Sequence, residues 1–277
     1  MRLKGIRGSR NIEDRRRMSG GGRASIGGVG LLVVLAIGYF TGIDVTPILN
    51  GVTQQGGAPR EVSAEDERAA EFTSRVLATT ETVWTDIFRD QMDRTYRPPV
   101  LVLFAGQTDS PCGGASGATG PFYCPVDQKA YLDTDFFATL SQRFGAKGDF
   151  ASAYVVAHEV AHHVQNELGV LGQVEEIRAS SSQTQANAIT VRLELQADCL
   201  AGVWAQGVDG LLDPGDIDEA INAARQIGDD ALQRSAGRVP QPHTFTHGTS
   251  EQRSRWFKRG YDRGMVADCD TFGAERL

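Results

Sequence analysis

Five consecutive residues near the middle of the chain form an H-E-x-x-H motif, His158-Glu159-Val160-Ala161-His162. On an α-helix, positions i and i+4 differ by about 40°, so both imidazoles project from one face. Two neutral ring nitrogens at this separation can bind one Zn²⁺, and Glu159 is placed to take a proton from water on the metal. The motif therefore predicts one zinc ion per chain, with His158 and His162 as ligands and Glu159 as general base.

A third zinc ligand has to come from another element. The metzincin pattern is excluded, because it needs Gly at position 165 and His at position 168, where the chain has Gln165 and Leu168. Glu194 and Asp198 lie four residues apart in an apolar stretch, where an unpaired carboxylate would be costly. We expect Glu194 to be the third ligand and Asp198 to accept the free N–H of His158. A solvated acidic face is the alternative, and three other glutamates compete for the ligand position: Glu167, Glu175 and Glu176.

The two histidines outside this region, His243 and His247, lie in a second short stretch. Cleavage of an amide at zinc needs a hydrogen-bond donor for the developing oxyanion. His247 precedes the start of the last predicted helix, so we expect it to be that donor. Arg253 is expected to hold the substrate or to orient His247. A loop histidine without a role is the alternative for His247, and His163 is expected to be structural.

Helices must position these residues. Capping and periodicity predict helices over about 63–91, 150–168, 183–208, 216–234 and 250–261. Short strands are predicted at 100–104, 121–124 and 129–132, with a Gly/Ser loop over 105–120. We expect the strand at 129–132 to be an edge strand that pairs with a substrate peptide. Many helices with a small sheet are typical of an α+β fold.

Charge is distributed unevenly along the chain. Residues 1–25 contain eight Lys and Arg and carry +6, so the remaining chain carries -13. A nucleic-acid-binding protein would carry its basic charge on the folded domain, so we expect no nucleic-acid partner. A basic terminal segment is instead typical of a membrane surface.

Residues 26–43 contain no charged side chain and would span roughly 27 Å as a helix, just enough for a hydrocarbon core. This predicts one transmembrane helix in contact with the lipid bilayer. The positive-inside rule then predicts a cytoplasmic tail at 1–25, a linker at 44–62 and an extracytoplasmic domain at 63–277. A buried core helix and a cleaved signal peptide are the alternatives, but no small-x-small cleavage site follows.

The four cysteines are even in number and lie on the non-cytoplasmic side of the predicted span. Cys112 and Cys124 bracket a Gly-rich loop, so a local disulfide is expected, which leaves Cys199 to pair with Cys269. Four free thiols are the alternative.

The surrounding residues resemble a known family. The stretches AYVVAHEVAHHVQNELG, ELQADCLAGVWA and THGTSEQRSRWFKRGYDRG are similar to the neutral zinc metallopeptidase family of bacterial membrane-anchored proteins, over about residues 64–273. The resemblance implies a gluzincin-like fold of the zincin type, with zinc on His158, His162 and Glu194. The spacing of His247 and Arg253 is also similar to the membrane CAAX-type metalloproteases, although Gly248 stands where that group usually has Pro.

Two functions follow. The first is a membrane-anchored zinc endopeptidase that hydrolyses peptide or protein substrates with a zinc-activated water. The second is a catalytically inactive, zinc-stabilised binding domain. An intact Glu159 favours the enzyme, because a structural zinc site does not need a general base.

Overall fold

The computed structural model describes residues 1–17, 61–116, 120–142 and 145–277. These ranges form a helix-rich α+β fold, as predicted. The helices are α1 (Ala64–Met92), α2 (Phe136–Gln142), α3 (Asp149–Glu167), α4 (Val170–Ala179), α5 (Gln183–Gly207), α6 (Asp216–Gln226), α7 (Asp229–Ser235) and α8 (Ser250–Arg263). The strands are β1 (Ile12–Asp14), β2 (Val100–Phe104), β3 (Gln107–Ser110), β4 (Gly113–Ser116), β5 (Phe122–Cys124) and β6 (Lys129–Asp133).

In the described part of the chain, the main sheet has four strands in the order β1-β2-β6-β5. β2 lies between β1 and β6 and is parallel to both, whereas β5 is antiparallel to β6. Our expectation of a free edge at 129–132 is therefore wrong. The turn after β5 folds β6 back against it, and β2 occupies the other side of β6, so the edge strands of this sheet are β1 and β5.

Several local predictions miss elements that tertiary contacts create. The predicted loop at 105–120 contains a hairpin of β3 and β4. The predicted helix over 216–234 is two helices, because the chain turns at Gly228, where a Cβ would overlap the backbone of Ser250. Within the described ranges, α2 and α4 are two further short helices that patterning does not predict.

The first 17 residues are part of the folded domain. The side chain of Leu3 lies in the core, and β1 extends the sheet beside β2. The side chain of Arg16 is buried and pairs with Asp14 and Glu67 while it donates a 2.8 Å hydrogen bond to the carbonyl of Asp66. The part of the predicted tail that the structure describes is therefore not a separate tail.

This pairing constrains any membrane topology. A single crossing between β1 and β2 would place about 30 Å of hydrocarbon between strands that share backbone hydrogen bonds. The expected placement of residues 1–17 and the domain on opposite sides of a membrane is incompatible with that contact. Within the described ranges, no helix combines the length and apolarity needed to cross a bilayer. The span predicted at 26–43 lies outside the described residues.

The site is built on α3, α5 and α8. α3 is buried along most of its length. α5 and α8 cross with their backbones in contact, since a Cβ on Gly202 would overlap the carbonyl of Phe257 and one on Gly260 would overlap that of Cys199. Only glycine permits so close an approach, which brings the buried face of α8 directly onto α5.

Both predicted disulfides are confirmed, as Cys112–Cys124 and Cys199–Cys269. The first joins the loop before β4 to β5. The second fixes the segment after α8 to α5, at the residue that follows Asp198.

Candidate metal centre

Three side chains converge between α3 and α5. Nε2 of His158 lies 3.1 Å from Oε2 of Glu194, and Nε2 of His162 lies 3.6 Å from Oε1 of the same carboxylate. One ligand atom from each of the three lies within 4.8 Å of the others. The helical spacing of the histidines and the packing of α3 on α5 thus bring the predicted ligand set together.

The other nitrogen of each histidine also has a polar neighbour. Nδ1 of His158 lies 3.0 Å from Oδ1 of Asp198, which is completely buried. Nδ1 of His162 lies 2.8 Å from Oε1 of Gln165. With Nδ1 turned to these partners, both Nε2 atoms face Glu194, which is the arrangement that a shared metal ion needs.

Arg253 is placed differently from our expectation. Its side chain is 2 % exposed and binds both oxygens of Asp198, from Nε at 2.8 Å and Nη2 at 2.9 Å. The hydroxyl of Tyr154 donates to Asp198 at 2.5 Å and accepts from Nη2 of Arg253 at 3.1 Å. Arg253 therefore lies in the interior behind His158, where it cannot hold a substrate, and its hydrogen bonds do not include His247.

Two carboxylates of the site, Glu159 and Asp198, have pKa values shifted in opposite directions. Burial raises the pKa of Glu159, because the charged form loses hydration. Burial also acts to raise the pKa of Asp198, but Arg253 and His158 outweigh it and hold this pKa at about 2. Burial opposes charge on His158, yet contacts with Asp198 and Glu194 raise its pKa to about 10. Asp198 thus stays ionised, whereas Glu159 is the carboxylate that exchanges a proton more readily.

His247 lies on the loop before α8, within electrostatic range of Glu159 and Glu194. Asp229 organises this loop by accepting backbone N–H bonds from Thr246, His247 and Gly248 at 2.8, 2.6 and 2.9 Å. Nδ1 of His247 lies 3.4 Å from Asp229, which leaves Nε2 as the nitrogen that can reach a ligand. The ring is half exposed.

The remaining histidines and the competing glutamates lie elsewhere. His163 contacts the hydroxyl of Tyr123 at 3.0 Å and the carbonyl of Arg97 at 2.6 Å, and burial lowers its pKa, so it is a structural residue as expected. His243 lies in a short turn after α7. Glu167 faces Arg97, at 3.7 Å. Two further glutamates, Glu175 and Glu176, are exposed on α4.

One other acidic cluster, formed by Asp149, Asp216 and Glu219, occurs in the described part of the chain. The α-ammonium group of Met1 lies 3.0 Å from Asp149 and 3.2 Å from Asp216. This cluster therefore already has a cationic partner within the chain.

The donor set of the first cluster fits zinc. Two imidazole nitrogens and one carboxylate oxygen are common protein ligands of catalytic Zn²⁺, and they leave the fourth position open. Nδ1 of His162 is hydrogen-bonded to Gln165 and Nδ1 of His158 lies 3.0 Å from Asp198, and such polar neighbours are typical of histidines that bind zinc.

The chain belongs to the family described as "Putative neutral zinc metallopeptidase", whose model matches residues 1–272. Our expectation that the N-terminal residues lie outside the family is thus wrong. The chain is 47 % identical to the uncharacterized protein YpfJ of Escherichia coli K12, over 99 % of both chains. It is 48 % identical to the uncharacterized protein Rv2575 of Mycobacterium tuberculosis H37Rv, over 66 % of this chain and 65 % of that one. No solved structure matches the chain.

Two polar residues of the site escape prediction from the sequence. Tyr154 and Gln165 lie on α3 among apolar neighbours, one turn before His158 and one turn after His162. Their spacing from the histidines was the available signal, but the same spacing is typical of ordinary core residues.

Proposed function

We propose that this protein is a zinc-dependent endopeptidase. The convergence of His158, His162 and Glu194, with Glu159 buried on the same helix, is the observation that supports this proposal most strongly. The family description points to the same reaction class and implies peptide substrates. A metal site that serves only folding would not need Glu159.

His158, His162 and Glu194 would hold the metal. A zinc ion bound there would supply an acidified water and a positive charge that polarises the carbonyl of the scissile peptide bond. Glu159 takes the proton of the attacking water and later delivers it to the leaving amine, and its raised pKa suits both steps. Asp198 keeps the ring of His158 in the orientation that turns Nε2 to Glu194.

His247 donates a hydrogen bond to the oxyanion of the tetrahedral intermediate. Its half-exposed ring, its Asp229-fixed loop and its electrostatic interaction with Glu159 and Glu194 support this role. The pKa of His247 is raised, because Asp229 and Glu194 outweigh the effect of burial, and a protonated ring is a stronger donor.

The uncharged residues 26–43 attach the protein to a lipid bilayer without crossing it, because a single crossing would separate β1 from β2. The pairing of β1 with β2 requires that residues 1–17 and the domain lie on one side of that bilayer. The two disulfides favour a compartment outside the reducing cytoplasm.

The test uses the full chain, because residues 1–17 belong to the domain. The detergent-purified protein should contain about one zinc per chain and should cleave casein or a peptide library. A chelator should abolish the cleavage, and added Zn²⁺ should restore it. Bound zinc without any hydrolysis would instead support the binding-domain alternative, and a chain that binds no zinc would contradict both.

A further inference from the structure

Gln165 has a fully satisfied hydrogen-bonding environment in the interior. Its side chain is completely buried on α3, three residues after His162. Its Oε1 lies 2.8 Å from Nδ1 of His162, and its Nε2 donates to the carbonyl of Leu193 at 2.8 Å and to Oε1 of Gln196 at 3.0 Å. A buried amide whose oxygen and nitrogen both have partners has a defined orientation.

The direction of each bond follows from the chemistry of the partners. The carbonyl of Leu193 can only accept a hydrogen bond, so the amide nitrogen of Gln165 must face it. The amide oxygen then faces His162, and an amide oxygen can only accept. The proton of a neutral His162 ring is therefore on Nδ1, and its lone pair is on Nε2, the nitrogen that faces Glu194.

We propose that Gln165 is a positioning residue that sets the tautomer of His162 for metal binding. The proposal rests on the zinc site put forward above. Gln165 serves His162 as Asp198 serves His158, with a neutral amide in place of a carboxylate. The same amide donates to the carbonyl of Leu193 on α5, and this bond fixes which end of the Gln165 side chain faces His162.

Three variants separate this role from simple packing. Gln165→Met keeps the length of the side chain but removes the acceptor for Nδ1–H. Gln165→Glu keeps an acceptor oxygen in either protonation state and loses the amide nitrogen. Gln196→Met is the matched control, because it removes a partner of Gln165 without touching His162.

Zinc affinity of the purified full-length proteins, measured by competition with a chromophoric chelator, is the readout. Gln165→Met should bind zinc about 10–100-fold more weakly than the wild type. Gln165→Glu and Gln196→Met should stay within about threefold of the wild type, because the acceptor for His162 remains. Thermal unfolding of the metal-free proteins shows whether each variant is folded.

Wild-type affinity in Gln165→Met, or an equal loss in Gln165→Glu, would overturn the proposal. If Gln165→Met does not fold, Gln165→Glu decides alone: retained affinity supports the role, and a loss of tenfold or more overturns it. The endopeptidase proposal is tested independently of the role of Gln165. A wild type that binds zinc and cleaves no peptide leaves the role of Gln165 intact, whereas a wild type that binds no zinc removes both.

Discussion

The guanidinium group of Arg253 binds both carboxylate oxygens of Asp198 in the protein interior, and the same carboxylate lies 3.0 Å from Nδ1 of His158. Asp198 is thus a buried anion shared between a permanent cation and a candidate metal ligand. Neither charge is tolerated there alone, because an unpaired buried charge is strongly destabilising. The contact links the stability of the α5–α8 crossing to the geometry of the site.

Arg253→Met should destabilise the protein by about 3–5 kcal/mol, since it removes the permanent counter-charge of the buried Asp198. Arg253→Lys should recover only part of this loss, because an ammonium group cannot reproduce the two parallel hydrogen bonds. Chemical denaturation of the metal-free protein gives both values. Arg255→Met, at an exposed pair with Glu251 on the same helix, is the control and should change stability by less than about 1 kcal/mol. A loss of stability in Arg255→Met as large as that in Arg253→Met would contradict the assigned role of Arg253.

His247→Ala should lower kcat about 10²–10³-fold, because the oxyanion loses a donor, while zinc content stays at the wild-type level. Steady-state kinetics on a cleaved peptide and metal analysis give the two quantities. His243→Ala is the control from the same stretch and should leave kcat unchanged. A fall in zinc content with His247→Ala, or an unchanged kcat, would rule out a role limited to the oxyanion.

Asp14 lies in β1, and we expect its ionisation to make a pH-dependent contribution to the stability of the folded protein. Its hydrogen bonds with Arg16 lower its pKa below the ordinary 3.8, so the folded state favours the ionised form. This stabilisation is complete above pH 3.8 and is lost as the pH falls through the lowered value. Asp14→Asn should therefore lower Tm at pH 7, and the difference from the wild type should shrink toward pH 3.

Asp90→Asn is the matched control for this pH series, because Asp90 pairs with Arg89 on a fully exposed part of α1. It should leave Tm unchanged at both pH values. A Tm difference for Asp14→Asn that grows as the pH falls would contradict the assigned pairing with Arg16.

Topology can be tested with two single-cysteine additions. Lys4→Cys and Lys258→Cys introduce exposed thiols into the N-terminal segment and into α8. Because β1 and β2 share one sheet, a membrane-impermeant maleimide should label both positions in intact cells, or both only after lysis. Labelling of one position before lysis and of the other only afterwards would show that the β1–β2 pairing does not exist in the membrane-attached protein.

Local sequence patterns were sufficient to predict the ligand cluster. His158, Glu159 and His162 follow helical spacing within five residues, and Glu194 and Asp198 stand out as acidic residues in an apolar helix. Local patterns also predicted three long helices and both disulfides. Capping and periodicity indicated α1, α3 and α5, and the positions of the cysteines indicated the two pairs.

Contacts between distant segments could not be predicted. The pairing of β1 with β2 joins Ile12 to Leu101, and no local pattern marks a three-residue strand among basic residues as part of a sheet. Gln165 is defined by its bond to the carbonyl of Leu193, which depends on how α3 packs on α5. Arg253 was assigned to the substrate or to His247 from its spacing to His247, whereas its guanidinium group binds Asp198 in the interior.

In the proposed mechanism, Glu159 exchanges the proton of the attacking water and does not bind the metal. Glu159→Gln removes this exchange and keeps the size of the side chain, so hydrolysis of a peptide should fall at least about 10²-fold. The most direct measurement is zinc content and peptide hydrolysis on one preparation of the Glu159→Gln protein. We expect about one zinc per chain with hydrolysis lost. A variant that keeps zinc and most of its activity would show that Glu159 is not the general base.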